Sequence, residues 1–409
     1  MHGHDRAGLR LTRVRPRALV LVDQNELPQP EARRSPGSNI GAGLIPVADA
    51  VDPSECRASV GVRASLVGDR PIPGHGGGNT VSTGEGPYRR RGPRNRQIVQ
   101  VKGCDDPMTA SGSTEFLIVG AGGSHGATGN HVTRQLLTKG LRVRAFVRQD
   151  DERAAALKAL GAQIVAGDVR DFSTVLTALE GVRGAYFTYP LDASLLEATT
   201  TFAAAGRQAG LQSIVNMSQL TARSDHASPA ARGHWLAERV LDWSGIGVTH
   251  IRPPYFLENL LTIANPSAIR AEGKIYLPYG QGRHAPIAGE DLARVVVGVL
   301  INPGPHHGKT YAPTGPVSLS MAEQADTLSR VLDRSIQHVD IPVEDWGQAL
   351  SQAGVPPLLV EHLCRVAEAH KHGEQDIATD VVETIGGSPP ITLETFVRDN
   401  RTAFEPAAP

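Results

Sequence analysis

Gly120, Gly123, Gly126 and Gly129 recur every third residue between an apolar run, Phe116 to Val119, and a segment with apolar positions at helical spacing, Asn130 to Leu137. Glycines in a strand, loop, helix setting suit one kind of chemistry. They permit a tight turn, and they let the backbone come close to a phosphate whose charge is met by free N–H groups at the helix N-terminus. The expected ligand is a dinucleotide pyrophosphate. Two registers compete. Gly120-x-x-Gly123-x-x-Gly126 suits the strand end, and Gly123-x-x-Gly126-x-x-Gly129 suits the helix start. The turn is therefore expected to hold three residues more than usual, and both registers stay open.

The elements that must position this loop alternate in a regular way. Residues 142–147, 163–166, 184–189, 213–217 and 248–251 read as strands, and 151–160, 172–180, 195–209 and 230–243 as helices between them. Strand and helix in strict alternation imply a parallel sheet covered on both faces. The fold class expected is α/β, a Rossmann-type doubly wound parallel sheet, followed by a smaller C-terminal α/β substrate lobe.

Residues at the strand ends supply the next chemistry. The second strand ends in Arg148, with Asp150 and Asp151 beyond it. An acidic residue there would hold ribose hydroxyls, whereas an arginine suits a 2′-phosphate, so NADP(H) is favoured over NAD(H). Asp168 follows the third strand and is placed near an adenine edge; Asp171 reads as a helix cap. Thr188 and Tyr189 end the fourth strand, where Tyr189 would abut a nicotinamide. Tyr255, Phe256 and Asn259 follow the sixth strand at the sheet's C-terminal end, where they would wall a pocket for a planar substrate.

Several of these segments together resemble the NmrA-like branch of the atypical short-chain dehydrogenases and reductases. They are Gly123 to Leu137, Val143 to Arg148, Gly167-Asp168, His250 to Leu261, Gly289 to Arg294 and Gly308 to Pro316. The resemblance runs from about residue 114 to about 405. It implies NADP(H) binding and relatives that reduce quinones or azo compounds, along with relatives that only sense cofactor redox state. Typical short-chain dehydrogenases use a Tyr-x-x-x-Lys pair on the helix after the fifth strand. Here Ala230 stands at the tyrosine position and His234 at the lysine position, while Ser218 matches the family's serine. Oxidation of an unactivated alcohol, which needs a base, is not expected. A quinone accepts hydride readily and takes its proton from water or a weak acid. His234 is the candidate proton donor. The expected activity is hydride transfer from NAD(P)H to a small planar acceptor such as a quinone. The alternative is a non-catalytic NADP(H)-binding sensor.

Composition bounds these readings. The formal charge of −1 over 409 residues gives no reason to expect a nucleic-acid partner. Cys56, Cys104 and Cys364 are too scattered for a disulfide framework or a metal site, which suits a reducing cytoplasm. No apolar run reaches membrane-spanning length. The expected partner is a small planar molecule, with a homodimer left open. Residues 1–113 differ from the rest: Gly and Pro make up about a quarter of them, typical of chains that do not fold. They read as a disordered or non-native extension, with translation expected to begin near Met108. Residues 114–262 read as the NAD(P)-binding core and 263–405 as the substrate lobe with the last sheet strands. Gly304 to Thr310 imitates a phosphate loop but has one residue too few before Gly308-Lys309, and His306 and His307 lack partners at metal-ligand spacing.

Overall fold

The computed structural model describes residues 116–123 and 127–406. The extension expected over 1–113, the start near Met108 and the loop residue Gly126 lie outside the described residues.

The strands are β1 (Phe116–Val119), β2 (Val143–Val147), β3 (Gln163–Ala166), β4 (Gly184–Phe187), β5 (Ser213–Met217) and β6 (Gly247–Ile251). Between them run α1 (Thr128–Thr138), α2 (Glu152–Ala159), α3 (Phe172–Ala178), α4 (Leu195–Ala209) and α5 (Pro229–Trp243). The chain continues through α6 (Pro266–Glu272), β7 (Lys274–Tyr276), β8 (Arg283–His284), α7 (Gly289–Ile301) and β9 (Thr310–Tyr311). It closes with β10 (Leu319–Ser320), α8 (Met321–Leu332), β11 (Gln337–Val339), α9 (Val343–Gln352), α10 (Pro357–Lys371), α11 (Val381–Gly386), α12 (Leu393–Asp399) and α13 (Arg401–Phe404).

Seven strands form one parallel sheet in the order β3-β2-β1-β4-β5-β6-β9. The order reverses between β1 and β4, and a crevice at such a reversal is where doubly wound sheets bind ligands. All four residues of β1 are buried, as a central parallel strand requires. Phe116 and Ile118 face the cluster formed with Val132, Leu136, Leu157 and Val296, which come from α1, α2 and α7. Leu117 and Val119 face the opposite cluster with Val175, Phe202 and Leu241, from α3, α4 and α5. The period-two alternation of a strand thus distributes one short segment between two helical layers. This is the Rossmann-type α/β fold expected from the pattern.

A third apolar cluster, around Leu257, Ile275, Leu328, Trp346 and Phe396, gathers the later elements into a lobe. Not all of residues 263–405 belong to it. Helix α7 packs on α1, and β9 pairs with β6 at the sheet edge. Between residues 343 and 371 the chain forms two helices, broken where Gly354 takes φ +80° ahead of Pro356 and Pro357. Asp171, as its position suggested, and Thr392 cap α3 and α12 through the Thr174 and Thr395 N–H groups. The segment around Gly304 to Thr310 is a short turn leading into β9. No helix among the described residues is long and apolar enough to cross a membrane.

Candidate cofactor and substrate site

Gly120 leaves β1 in the left-handed region at φ +76°, and a Cβ there would collide with Thr188 Cγ2 at the end of β4. Gly129, the second residue of α1, lies against the same backbone. A Cβ on it would stand 2.5 Å from the Gly120 carbonyl oxygen and 3.0 Å from Ala121 Cα. The two glycines therefore let helix and strand meet closely, the role that third-position glycines have in dinucleotide loops. Gly123 closes the turn, donating its N–H to the Gly120 carbonyl at 3.0 Å. Among the described residues helix α1 begins without a side-chain cap, and the buried Thr128 hydroxyl at its first turn has no partner. Free N–H groups, an unpaired hydroxyl and glycines that hold space open are what a pyrophosphate requires. The residues fit the group.

Beyond this cradle, Arg148 stands exposed past the end of β2, close enough for its charge to act on Asp168. Asp168 is committed to a neighbour: Arg170 grips it through Nε at 3.0 Å and through Nη2. The hydrogen bonds and charge of Arg170 hold the Asp168 carboxyl down at about 2. Arg170 also reaches Ser194 Oγ at 3.5 Å and lies within range of Tyr189. Arg148, Asp168, Arg170 and Tyr189 are thus one neighbourhood at the ends of β2, β3 and β4.

Helix α5 carries a different group. Ala230, His234 and Glu238 recur on its buried face at intervals of four. Burial would raise the Glu238 carboxyl, but its bonds to Arg252 and the closeness of the Ser218 hydroxyl outweigh that, and the net direction is down. Arg252 Nε donates to Glu238 Oε1 at 2.8 Å. The buried Ser218 Oγ lies beside this carboxylate without a close hydrogen bond of good geometry. Burial pushes His234 down to about 4, partly offset by Glu238. The ring is neutral at neutral pH, so it offers an N–H for hydrogen bonding but no imidazolium proton.

Tyr255, Phe256 and Asn259 form a third group after β6. Phe256 bridges to Ile287, and Ile287 donates its N–H to the Tyr255 carbonyl at 3.0 Å. All three line one small pocket with Leu277, Tyr279 and His284. The residues singled out from sequence therefore fall into three clusters. The loop and strand-end residues are brought together, Ser218 and His234 share the α5 neighbourhood, and Tyr255, Phe256 and Asn259 share the pocket.

Residues 113–393 match the NmrA-like family. This chain belongs to that family. An NAD(P)H azoreductase of Xenophilus azovorans is 33% identical to the NmrA-like chain over 287 residues, covering 69% of the chain and 97% of the relative. An NADPH-dependent quinone oxidoreductase of Escherichia coli gives a TM-score of 0.61 at 25% identity, covering 70% of the chain and 99% of its own. The negative transcriptional regulator NmrA in complex with NADP gives 0.59 at 16% identity, covering 70% and 95%, a likeness of fold alone.

Four features of this NmrA-like chain were not legible beforehand. Arg170 pairs with Asp168 two residues away, a spacing that an Asp-x-Arg sequence could have suggested. Glu238 and Arg252 meet from separate elements. His226 and His234 lie near His362, and His284 and His370 lie beside Tyr255. The last three depend on tertiary packing that no local spacing announces.

Proposed function

We propose that the chain is an NAD(P)H-dependent oxidoreductase passing hydride to a small planar acceptor such as a quinone. The observation that carries this reading is the 33% identity to an azoreductase across 97% of that enzyme's length. The glycine cradle supports it, because Gly120, Gly129 and the uncapped α1 fit a dinucleotide. In this reading Gly120, Gly123, Gly126 and Gly129 take the pyrophosphate with Thr128. Arg148 takes a 2′-phosphate, which makes NADP(H) the preferred form. Asp168 anchors Arg170 beside it, and Thr188 and Tyr189 flank the nicotinamide half. Ser218, Tyr255, Phe256 and Asn259 face the acceptor. Residues 114–262 carry the cofactor, and the parts of 263–405 outside α7 and β9 supply the lobe over the acceptor.

The nicotinamide supplies the hydride when bound. The chain's own residues hold the reactants in register and keep water from between them, which for a readily reduced acceptor is most of the work. His234, neutral and buried, contributes a hydrogen bond rather than an ionised proton donor. Steady NADPH consumption with a panel of quinones is the expected result; tight cofactor binding with no turnover on any acceptor would overturn the reading. A second reading, a non-catalytic NADP(H) sensor, is favoured by one observation: the residue at the lysine position is held neutral and away from solvent.

A further inference from the structure

Four rings from four segments converge beneath the loop that follows β6. Tyr255 lies with its ring centroid 4.8 Å from His284, 5.2 Å from Tyr279 and 5.6 Å from His370. His284 and His370 are 4.9 Å apart, and Tyr279 and His370 4.7 Å. Tyr279 and His284 are 3% exposed and His370 not at all. Gly282 makes this convergence possible, because a Cβ there would run into the His370 backbone and ring.

Burying imidazoles and phenols is costly unless their polar atoms are paired, and here several are not. Gln324 Nε2 lies 3.1 Å from His284 Nε2 and 3.4 Å from the Leu319 carbonyl, so the amide nitrogen donates to the ring. His284 Nε2 is then the acceptor, and the proton of the neutral ring sits on Nδ1. That Nδ1–H has no partner among the described residues. Among the same residues the Tyr255 hydroxyl, though near the Tyr279 hydroxyl, has no hydrogen bond of good geometry, and Asn259 Oδ1 has no donor. Tyr255, His284 and Asn259 all line a cavity of about 20 Å³ whose other walls include Leu257, Leu260 and Met321. Such a volume admits one oxygen-sized group and not a ring. Two donors and one acceptor set in an apolar wall are the polar fixings of a small-molecule site.

We propose that this cavity is the socket for one oxygen of the acceptor, a quinone or hydroquinone, with Tyr255 Oη–H and His284 Nδ1–H donating to it and Asn259 Oδ1 accepting from the hydroxyl of the reduced form. The proposal rests on the reading of the chain as a reductase of planar acceptors and adds what that reading leaves open, namely which atoms recognise the acceptor. It also sets a specificity. An aromatic compound without the oxygen leaves two buried donors unpaired, and sites built to hydrogen-bond a ligand reject such analogues strongly.

The test uses the full chain with NADP present, so that no turnover occurs, and titrates it with 1,4-naphthoquinone and with naphthalene. Quenching of Trp346, buried 6.3 Å from Tyr279, reports occupancy alongside calorimetry. Naphthoquinone should bind at least about tenfold more tightly than naphthalene. Tyr255→Phe, which deletes a buried hydroxyl with no hydrogen bond of good geometry, should keep its melting temperature and its affinity for NADP while weakening naphthoquinone about tenfold. His284→Asn should weaken naphthoquinone similarly. No naphthoquinone binding by the unaltered chain, or equal binding by both variants, overturns the socket. If quinone turnover is still seen in that case, the reductase reading survives without the socket. Binding that responds to both substitutions but is never followed by NADPH consumption keeps the socket and sinks the reductase reading.

Discussion

Ser228 Oγ lies 2.8 Å from His362 Nδ1, and this contact ties the start of α5 to α10. The same hydroxyl accepts the Ala231 N–H at 3.3 Å. His226 Nδ1 accepts the Ser228 N–H at 2.9 Å. Three buried imidazoles, His226, His234 and His362, therefore gather where the sheet layer meets the later helices.

That cluster should make stability fall on mild acidification. Burial pushes His234 and His362 down to about 4, with the other imidazoles adding to the effect on His362. Arg223 and Arg232 help to lower His226, with Glu374 and Asp225 opposing them. A histidine lowered in the folded state binds more protons when unfolded, so its stabilisation is complete above about pH 6.5 and lost as pH falls towards 4. Each of the two could account for up to about 3 kcal/mol over that window. Glu258 and Asp291, raised by burial, act in the opposite sense. The measurement is melting temperature against pH for the native chain and for His362→Gln. The native curve should drop between pH 7 and 5, and the variant's should drop less. Identical slopes would remove the histidines from the explanation.

Gly129→Ala is expected to damage the loop more than a surface change of one methyl would. The new Cβ meets backbone at 2.5 Å, which cannot swing aside as a side chain could. Helix α1 must move away from β1 or the turn must open, at a cost of about 1–3 kcal/mol. Cofactor affinity should fall at least tenfold by calorimetry, with a lower melting temperature. Retention of both would mean that the close approach is not needed for binding.

Arg148→Ala should weaken NADPH far more than NADH. A charge-assisted contact to a phosphate is worth about 1.5–3 kcal/mol, so the selective loss is about ten- to a hundredfold. Arg170→Ala should act on both forms alike, since Asp168 already holds that guanidinium. Titrations of both cofactors against both variants would separate the roles, and equal losses for Arg148→Ala would show that it does not read the phosphate.

The fold was readable because parallel strands buried on both faces are short apolar runs, and each helix between them carries its own periodicity. The cradle was readable for the same local reason, although the register was not. Gly120 and Gly129 are set apart by what lies above them, Thr188 and the Gly120 carbonyl, and a linear spacing cannot express that. Around Tyr255 the sequence offered a patch of three residues, whereas His284 and His370 arrive from positions 29 and 115 residues further along. Such convergence belongs to the packing of the lobe. His234 was visible as a histidine in a telling place, but its neutral state follows from burial beneath other elements and could be learned only from the folded chain.

Enzyme and sensor make opposite demands on the cofactor site. A sensor must bind NADP and NADPH with different affinity, because a ligand with equal affinity for two states shifts nothing. An enzyme of this type need only hold both forms and release the spent one. In the proposed reading the groups around the cradle, Gly120, Gly129, Thr128 and Arg148, take the phosphate and ribose part, which is the same in both forms. Calorimetry on the chain should therefore give similar affinities for NADP and NADPH. Under the enzyme reading, His234→Ala should also lower quinone turnover about tenfold or less, short of the roughly 10²–10⁴-fold expected of a general acid. The reason is electrostatic: a ring held down at about 4 is almost wholly unprotonated at neutral pH, so its removal takes away a hydrogen bond and some packing but no proton source. A preference of about a hundredfold for one cofactor form, with no quinone turnover, would instead decide for the sensor.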